Sequence, residues 1–578
     1  MLGKIVKENI FLILAIALTA FALLPLFQPG FFSIHDDEQI GRLFELDQAL
    51  KSGQFPVRII ANLGFGFSYL LFNFYPPFVY YLGEFFKLLS FSYIDSMKIV
   101  IGLGFVGSAF FMYLLGREYF GKLGGLVSAV LYVYAPYHAI DAYVRGAIPE
   151  LFSFVFLPAV FWAYKKLADE PSKRYVILAS IFNVLLVLTH NLVAMMASVF
   201  ILAYLIFLFW KTKGKKGFVK NVGLTLIFSV LISSFFLIPA LLENKYTMAS
   251  LLTKELADYN YHFVYLRQLW DSPWGYGGSI LGLEDGLSFQ VGKLHIILSF
   301  IAILTALFLW TRKKIIYIAF LFFALFSLSV FLQTFHSKFI WDSLPPFHFI
   351  QFPWRFLLFS VFFSSLLGGF VVSEIKNKQL SLLASFTIIV FVILLNKDYF
   401  KPEKYLYNTD PDYINKQTLN WETSRKAFEY VPAGIATLKS PIGNSVVDIS
   451  EENIPKEAFS EVSAVLSGKT LKDKPNKKEI SVEVEKGGIM QINTFAYPQW
   501  KVYVDGQKTS IQSNNKLKLI RFEIPKGRHD ILLRFEETTI EKVSNFLSIA
   551  GIALILFYGL VYRDPTSVRR SSDLRGAR

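Results

Sequence analysis

The sequence predicts an α-helical polytopic membrane protein of about twelve spans, with an external α+β block that contains a small antiparallel β-sandwich. Two observations support this class: 54% of the 578 residues are hydrophobic, and only 18% are charged, where an ordinary globular domain has about 25%. The apolar residues also collect in runs of about 17 to 23, which are long enough to cross a bilayer. A soluble enzyme is therefore excluded.

The excess of basic residues indicates membrane topology. Lys and Arg outnumber Asp and Glu by 58 to 44, which gives a net charge of +14. These residues lie in short clusters between the apolar runs, as the positive-inside rule predicts, so no nucleic-acid partner is expected. The chain contains no cysteine, which excludes disulfides, thiolate metal sites and cysteine nucleophiles.

Twelve apolar runs are predicted to span the membrane. The first, residues 11–27, continues past the signal-like triplet Ala20-Phe21-Ala22, so we interpret it as an uncleaved span. The other eleven runs lie near residues 97–116, 123–140, 147–164, 175–190, 193–210, 222–242, 294–310, 315–332, 355–373, 379–395 and 543–562.

The apolar stretch 67–90 is ambiguous because it contains Pro76, Pro77, Glu84 and Lys87. If this stretch does not cross, every basic cluster falls on one face, whereas a thirteenth span would place nearly all of them outside. We therefore expect a surface helix or a re-entrant piece at the outer face, with both termini cytoplasmic. The cytoplasmic clusters are Arg117/Lys122, Lys165/Lys166/Lys173/Arg174, Lys211/Lys213/Lys215/Lys216/Lys220, Arg312/Lys313/Lys314, Lys376/Lys378 and Arg563/Arg569/Arg570.

This topology divides the chain into three units. Residues 1–396 form a multi-span membrane domain with outer loops 29–96, 243–293 and 333–354, residues 397–541 an external soluble domain, and residues 542–578 the last span and a basic tail. The external domain is β-rich from about residue 479, residues 400–478 have no firm assignment, and the tail after Tyr562 is expected to be disordered. Alternation of apolar and polar residues predicts strands at 480–484, 489–495, 501–504, 517–524 and 531–535.

The predicted spans hold almost no ionisable residues, which argues against a transporter with a charged route. Acidic and basic residues collect beyond the span ends, most densely at His35-Asp36-Asp37-Glu38. Adjacent carboxylates there suit the binding of a hard divalent cation or the removal of a proton from a hydroxyl. The alternative is a solvated charge cluster that ends the first helix.

Two further groups of candidate residues on the predicted outer side each contain an arginine. Arg145 shares a short turn with His138, Asp141 and Glu150, where its guanidinium suits a phosphate or simply closes the turn with an ion pair. Arg355 follows Phe352-Pro353-Trp354 and could hold a phosphate or extend to the lipid headgroups.

Histidine and aromatic residues complete the outer candidates. His190 lies at a span end, where a lone histidine is more often a polar cap than a ligand. The aromatic loop 259–276 offers rings that can stack on sugars or lie at headgroup level. Its candidate sugar or acceptor contacts are Tyr261, His262, Trp270 and Trp274.

A series of short motifs runs along the outer segments. It comprises His35-Asp36, Gly53-Gln54-Phe55-Pro56-Val57-Arg58, Gly64-Phe65-Gly66, Phe74-Tyr75-Pro76-Pro77, Pro136-Tyr137 with Tyr143-Val144-Arg145-Gly146-Ala147 and Glu150, Ser272-Pro273-Trp274-Gly275-Tyr276-Gly277, Phe352-Pro353-Trp354-Arg355 and Tyr497–Gly506. In this order, over nearly the whole chain, they resemble the GT-C superfamily of membrane glycosyltransferases. The chain resembles in particular the prokaryotic membrane proteins described as 6-pyruvoyl-tetrahydropterin-synthase-related, and nothing in it is similar to the soluble pterin enzyme.

The resemblance implies an enzyme that transfers a sugar, with inversion, from a polyprenyl-phosphate carrier to an envelope acceptor at the outer face of the plasma membrane. The acceptor would be a glycan, a lipid or a protein. The same resemblance implies Asp36 as the principal catalytic carboxylate and Asp37 as the second. It leaves open a divalent cation, Mg²⁺ or Mn²⁺, held by Asp36, Asp37 and Glu150.

The resemblance also implies ligands for the carrier phosphate, because cationic groups stabilise a leaving phosphate as its negative charge develops. These are Arg58, Arg145 and Arg355. The supporting residues are His35, His138, Glu150 and His190.

Two other functional classes remain open from the sequence. A non-catalytic membrane scaffold whose external domain binds envelope glycans or proteins has the same architecture. A lipid-carrier flippase or transporter fits less well, because the sequence shows neither mid-span charges nor an inverted repeat. Replacing Asp36 by Asn separates the enzyme from the scaffold, which should tolerate the change.

Overall fold

The computed structural model of the chain describes residues 2–249, 258–309, 315–435 and 465–561, together with the short pieces 437–439, 445–447 and 459–461. The predicted basic cluster Arg312/Lys313/Lys314 and the predicted tail after Tyr562, with its basic residues Arg563, Arg569 and Arg570, lie outside the described residues.

Long helices make up most of the chain before residue 397. In chain order they are α1 (Leu2–Ala17), α2 (Gln39–Lys51), α3 (Phe78–Leu88), α4 (Tyr93–Val133), α5 (Ile148–Asp169), α6 (Lys173–Thr189), α7 (Asn191–Lys211), α8 (Lys215–Leu242), α9 (Lys293–Phe308), α10 (Ile316–Gln333), α11 (Leu357–Ser373), α12 (Lys378–Asn396) and, after the external domain, α13 (Thr539–Val561). Shorter helical turns lie between them, among them Pro136–Ile140, Asp141–Arg145, Leu266–Trp270, Lys338–Ser343, Pro345–His348 and Pro353–Phe356.

Within the described residues, nine helices are long and apolar enough to cross a membrane, against the twelve spans predicted. Two predicted spans are merged in the 41-residue helix α4, which is kinked at Gly121. The φ of Gly121 is +71°, a conformation that glycine adopts without steric cost. Two more predicted spans form α6 and α9, which have 17 and 16 residues and are slightly short for a full span. Each of the twelve predicted runs thus coincides mainly with helix among the described residues. The number of candidate spans is nine because two runs share α4 and because α6 and α9 are short.

Helices α4, α5 and α11 lie at the centre of the bundle, and α11 is the most buried of the candidate spans. Glycine allows α4 and α11 to approach closely. A Cβ atom on Gly124 would lie 2.9 Å from the carbonyl oxygen of Gly369, which is closer than real side chains tolerate. The central helices therefore pack backbone to backbone at this point.

The ambiguous stretch 67–90 contains no full span. Helix α3 has 11 residues and begins directly after Pro76-Pro77, so it rises about 16 Å, roughly half of the hydrocarbon core. The loop before it is held by Glu45, whose carboxylate accepts hydrogen bonds from the N–H groups of Ala61 and Asn62. Only residues 71–73 and 78–88 of the stretch are helical, too few for a full span, and its depth in the bilayer stays a prediction.

Small antiparallel sheets lie mainly within residues 397–541, the segment predicted to be external, and one of them also includes a strand from the loop after α1. A five-stranded sheet has the order β10-β9-β12-β7-β6 and a three-stranded sheet the order β11-β8-β5, while β1 pairs with β2 and β3 with β4. The strands are β1 (Phe31–Phe32), β2 (Tyr405–Leu406), β3 (Thr437–Lys439), β4 (Ser445–Val447), β5 (Phe459–Glu461), β6 (Val465–Lys474), β7 (Lys477–Val484), β8 (Gly488–Phe495), β9 (Trp500–Val504), β10 (Gln507–Thr509), β11 (Leu519–Ile524) and β12 (Gly527–Phe535).

The five predicted strands correspond to β7, β8, β9, β11 and β12 and are confirmed. Alternate residues of β7, namely Ile480, Val482 and Val484, are buried, which is the burial that an alternating pattern predicts. Asp505 and Gly506 join β9 to β10 with positive φ at both positions, as a type I′ hairpin turn requires.

The direction of the chain across the membrane can be tested with single cysteines, because the natural chain has none. We expect a cysteine at Lys215, in the basic segment between α7 and α8, to be cytoplasmic, and one at Asp505 to be external, since basic connections stay inside. The measurement is labelling of intact cells with a membrane-impermeant maleimide. Labelling of Lys215→Cys from outside would contradict the predicted topology.

Candidate functional site

Asp36 is fixed by backbone contacts to a turn between α4 and α5. The His35 N–H donates to the Val144 carbonyl at 3.0 Å, and the Asp36 N–H donates to the Arg145 carbonyl at 2.8 Å. Gly146 has a φ of +66°, and a Cβ atom there would lie 2.3 Å from the Ile34 side chain. The glycine therefore lets the first outer loop lie directly on this turn.

The turn itself brings Arg145 against two carboxylates. Residues 141–145 form a π-helical turn, a form that often occurs at functional sites. Arg145 Nη1 donates to the Asp141 carboxylate and, at 2.9 Å, to Glu150 Oε2. Tyr137 donates to the other Glu150 oxygen at 2.6 Å. Arg145 Nη2 and Nε form no hydrogen bond with the described part of the chain, so this side of the guanidinium remains available to a ligand.

Arg355 joins the same carboxylate from the segment before α11. Its Nε lies 3.5 Å from Glu150 Oε2, and its Nη1 donates to the Ile350 carbonyl at 2.7 Å. The Arg145 guanidinium lies 4.7 Å from the ring centre of Trp354. Glu150, which is fully buried, therefore holds two arginines from separate parts of the chain beside one aromatic wall.

The Asp36 carboxylate faces these arginines without contacting them. Its burial raises its pKa above the ordinary 3.8, while the charges of Arg145, Arg42 and Arg355 oppose that shift. Among the residues that the structure describes, none forms a hydrogen bond or an ion pair with this carboxylate. A partly buried, unpartnered carboxylate of raised pKa is suited to accept a proton from a substrate.

Burial also raises the pKa of Asp141 well above its ordinary value, against the opposing charge of Arg145. The guanidinium nitrogens of Arg145 and Arg355 that form no hydrogen bond with the described chain suit the site to an anionic group.

The acidic neighbours of Asp36 face other partners. Asp37 accepts from Lys426 Nζ at 2.5 Å, and both side chains are about half exposed. Glu38 pairs with Arg42 at 3.0 Å, and Arg42 also lies 3.7 Å from Glu429. Burial raises the pKa of Glu38 to about 7. The contiguous acidic residues are thus divided among three environments, and the sequence reasoning missed Lys426 and Glu429, which the external domain contributes.

The aromatic loop contacts the first outer loop at one end. His35 Nε2 lies 2.9 Å from the Tyr276 carbonyl, to which it donates in the tautomer that carries a proton on Nε2. Trp274 stacks on Tyr399 at 4.3 Å. The first contact places His35, the neighbour of Asp36, against the aromatic loop, and the second packs Trp274 on the segment after α12.

At its other end, the loop contacts the Arg355 segment. His262 bonds to Ser279 at 2.9 Å and lies edge-on to Phe352 at 4.7 Å, and burial lowers its pKa to about 4. Tyr261 and Trp270 are exposed, and no contact within the described residues links them to Asp36 or to either arginine of the site.

Arg58 lies apart from the other predicted phosphate ligands. Its Nη1 donates to Asn73 at 2.7 Å and its Nη2 to Asn545 at 2.8 Å, while its Nε lies 3.7 Å from Glu537. These bonds form part of a buried polar joint between the first outer loop, α8 and α13, which also includes Glu243, Gln499, Thr538 and Glu541. The structure therefore does not group Arg58 with Arg145 and Arg355.

Two predicted supporting histidines have packing or capping contacts. His138 is buried and stacks on Phe154 at 4.0 Å with the rings nearly parallel. His190 caps α7, since its Nδ1 accepts from the Val193 N–H at 3.2 Å. Burial lowers the pKa of His190 to about 3, although the charge of Glu150 opposes the shift. His190 is therefore neutral and close enough to Glu150 to interact electrostatically with it.

The predicted cation ligands do not form a cluster. Within the described ranges, no three or more His, Asp and Glu side chains are grouped so that they could hold a metal ion. The contacts explain why, because Glu150 is bound by Tyr137 and Arg145 and Asp37 by Lys426. This donor set does not fit a shared cation.

A sequence model of the family described as 6-pyruvoyl-tetrahydropterin synthase related domain, membrane protein, matches residues 72–401, which is more than half of the chain. No curated protein matches at a significant level.

Several solved structures are similar at low identity. They include the arabinofuranosyltransferase AftD from Mycobacteria, with 12% identity and a TM-score of 0.46 over 68% of this chain and 27% of that one. An Archaeoglobus fulgidus oligosaccharyltransferase tethered with an acceptor peptide has 13% identity and a TM-score of 0.41 over 69% of this chain and 56% of that one. The archaeal oligosaccharyltransferase AglB, in complex with an inhibitory peptide and a dolichol-phosphate, has 14% identity and a TM-score of 0.40 over 72% and 56%. The chain thus spans about a quarter to just over half of the length of these structures.

Proposed function

This chain belongs to the 6-pyruvoyl-tetrahydropterin synthase related family of membrane proteins, and from that premise we propose that it transfers a sugar, with inversion, from a polyprenyl-phosphate donor to an envelope acceptor. The reaction takes place at the outer face of the plasma membrane, and both termini are cytoplasmic. The acceptor is a hydroxyl or amide group of a glycan, a lipid or a protein.

One observation carries the proposal: an unpartnered carboxylate opposes two arginines that retain unbonded nitrogens. Asp36 has no hydrogen bond or ion pair within the described residues, while Arg145 is bonded there only through Nη1. Arg355 Nη2 likewise has no hydrogen bond to the described chain, and its Nε is buried without a hydrogen-bond partner. Such an arrangement suits a substrate that needs a base on one side and an anion site on the other.

Each group then has a role in a displacement at the anomeric carbon. Asp36 takes the proton of the acceptor as the acceptor atom bonds to that carbon. The bond from the anomeric carbon to the phosphate oxygen breaks, and the electron pair leaves with the polyprenyl phosphate. Because the acceptor attacks opposite the leaving group, the configuration inverts. Arg145 and Arg355 stabilise the charge that develops on the phosphate.

Glu150 and Tyr137 act as positioning residues in this reaction. Glu150 binds Tyr137 through one oxygen and Arg145 through the other, so its orientation is fixed before any substrate arrives. Preorganised charges of this kind need little rearrangement during the reaction, which is where much of their catalytic benefit lies. Asp37, bound to Lys426, is left at the rim of the site.

The test is the release of polyprenyl phosphate by the purified full-length protein in lipid nanodiscs, with a panel of polyprenyl-phosphate sugars and a broad set of acceptors. We expect release with at least one donor, and we expect it to depend on both the sugar and the acceptor. Reactions without acceptor control for simple hydrolysis. If no donor turns over, the proposed reaction is wrong, and the external domain would be the place to look for a binding function.

A further inference from the structure

Two outer segments carry large apolar side chains that the described chain leaves uncovered. Leu266 is 61% exposed, while Phe335 and Phe339 are 62% and 63% exposed. All three lie outside the candidate spans. Exposed apolar side chains that cluster in this way usually mark a contact surface.

These side chains rest on a packed base. Tyr259 stacks on Trp341 at 5.4 Å and on His348 at 5.1 Å. Phe263 lies edge-on to Phe335 and to Trp341, and Trp341 is fully buried with its indole N–H bonded to the Leu332 carbonyl. Segments 259–270 and 335–349 are therefore one unit, which we call the lip, and it is attached to the end of α10.

The apolar surface of the lip continues that of two helices of the bundle. A crevice of about 280 Å³ begins at Leu266 and runs between α9 and α10. Its walls include Phe300, Phe323 and Phe331. Thr334 and His336 line the end of the crevice that is nearest to the lip. Leu304, one turn further along α9, is 64% exposed. Leu266 of the lip thus lines the same crevice as Phe300 of α9 and Phe323 of α10, so the apolar surface of the lip adjoins those of the two helices.

Several further exposed residues of the lip favour the membrane–water boundary. Tyr261, Tyr265 and Trp270 are all substantially exposed, and Tyr and Trp are enriched at the headgroup level of membrane proteins. The charged side chains of the lip are Arg267, which is exposed next to Leu266 and long enough to extend to lipid headgroups, and Lys338 and Asp342, which pair with each other at 2.6 Å. A soluble partner protein could bind the lip without contacting α9 or α10. A bilayer contacts the lip and the helices together, so their apolar surfaces have to adjoin.

We propose that the lip is embedded in the lipid surface on the side of the membrane that carries the site. Its apolar side chains lie about 5 to 10 Å into the boundary between headgroups and acyl chains, the depth typical of interfacial helices. The partner is the bilayer itself, and the inference does not depend on the proposed reaction.

The position of the lip also determines the depth of Arg355. His262 of the lip contacts Phe352 edge-on, Phe352 stacks on Trp354 at 4.9 Å, and the Arg355 guanidinium lies 5.1 Å from the Phe352 ring centre. A lip at the headgroup level therefore holds Arg355 close to the level of lipid phosphates.

Single nitroxide labels test the proposal, since a chain without cysteine needs no background substitutions. Labels are placed at Leu266→Cys and Phe339→Cys in full-length protein in nanodiscs. Leu304→Cys on α9 is the lipid-embedded reference, and Asp473→Cys, an exposed position on β6, is the aqueous reference. The measurement compares relaxation by oxygen, which concentrates in lipid, with relaxation by a water-soluble nickel chelate.

We expect the oxygen-to-nickel ratio at both lip positions to exceed the Asp473 ratio severalfold and to approach that of Leu304. A ratio at either lip position equal to that of Asp473 would overturn the proposal, because that surface would then be open to water and to a protein partner. Two different lip positions guard against misfolding of one variant, which a changed elution volume would reveal.

Discussion

Replacing Asp36 by Asn is expected to lower kcat by a factor of about 10² to 10⁴, the range that a general base contributes, without unfolding the protein. Asn has nearly the same shape but cannot accept the acceptor's proton. No side chain in the described ranges depends on the Asp36 carboxylate for a hydrogen bond, so the structural cost is small. The measurement is sugar-dependent release of polyprenyl phosphate at saturating donor, together with the thermal midpoint in micelles.

Asp37→Asn is the matched control, because it changes the adjacent carboxylate in the same way. Asp37 is half exposed and bound to Lys426. Because exposed ion pairs contribute only about 0 to 1 kcal/mol, we expect this variant to change kcat by only a fewfold. Equal losses in the two variants would contradict the assignment of Asp36 as the base.

The pH dependence of the wild-type enzyme gives a second check on Asp36. A base works in its ionised form, so kcat/KM should fall as the pH drops through the pKa of Asp36. Burial raises that pKa above 3.8, and the acidic limb should therefore begin at a higher pH than for an exposed aspartate. An acidic limb at or below the ordinary aspartate range would contradict the geometry.

Glu150→Gln should cause the largest loss of stability among single changes at the site. Glu150 is fully buried and is the shared partner of Arg145 and Arg355. Removing one partner from a buried ion pair typically costs about 3 to 5 kcal/mol, because the remaining charges lose their compensation. We expect a loss of this size in denaturant unfolding in micelles, together with a strong loss of transfer activity.

Tyr137→Phe separates the loss of charge from the loss of one hydroxyl. It removes the hydroxyl that donates to Glu150 and accepts from Arg145 Nη1 at 3.2 Å, and a hydrogen bond to a charged group contributes about 1.5 to 3 kcal/mol. Both arginines keep their carboxylate, so activity should be largely retained. A Tyr137→Phe variant as inactive as Glu150→Gln would show that the hydroxyl, rather than the charge, organises the site.

Local patterns predicted the secondary structure well because they depend on neighbouring residues. The alternation of apolar and polar residues at 480–484 arises because one face of β7 is buried and the other is not. The merged spans of α4 show the limit, since the sequence around Gly121 does not reveal that its kink leaves two apolar runs in one helix. Helix length likewise depends on where the bundle is narrow, which no single run encodes.

The site was harder to predict because charges of the same type have different partners in space. Arg58 and Arg145 both follow conspicuous motifs, but Arg58 is bound by Asn545 and Glu537 from the far end of the chain. Asp36 and Asp37 are adjacent and of the same residue type, and their surroundings distinguish them: Asp37 pairs with Lys426, whereas the charges of Arg145 and Arg355 act on Asp36. Lys426 itself lies in an aperiodic stretch, where a solvated lysine gives no signal.

The pairing of β1 with β2 has a consequence for biosynthesis. Ser33 and Lys404, at the ends of this pairing, are separated by 371 positions, and Asp410 supplies the cap for the first two N–H groups of α4. The ribosome therefore completes most of the transmembrane bundle before the partners of the first loop have been synthesised. Until then Phe31 and Phe32 have no strand to pair with, so a stalled or truncated nascent chain would present an unpaired, aromatic edge to chaperones and proteases. The candidate site, to which Lys426 and Glu429 contribute contacts, is thus completed late in the synthesis of the chain.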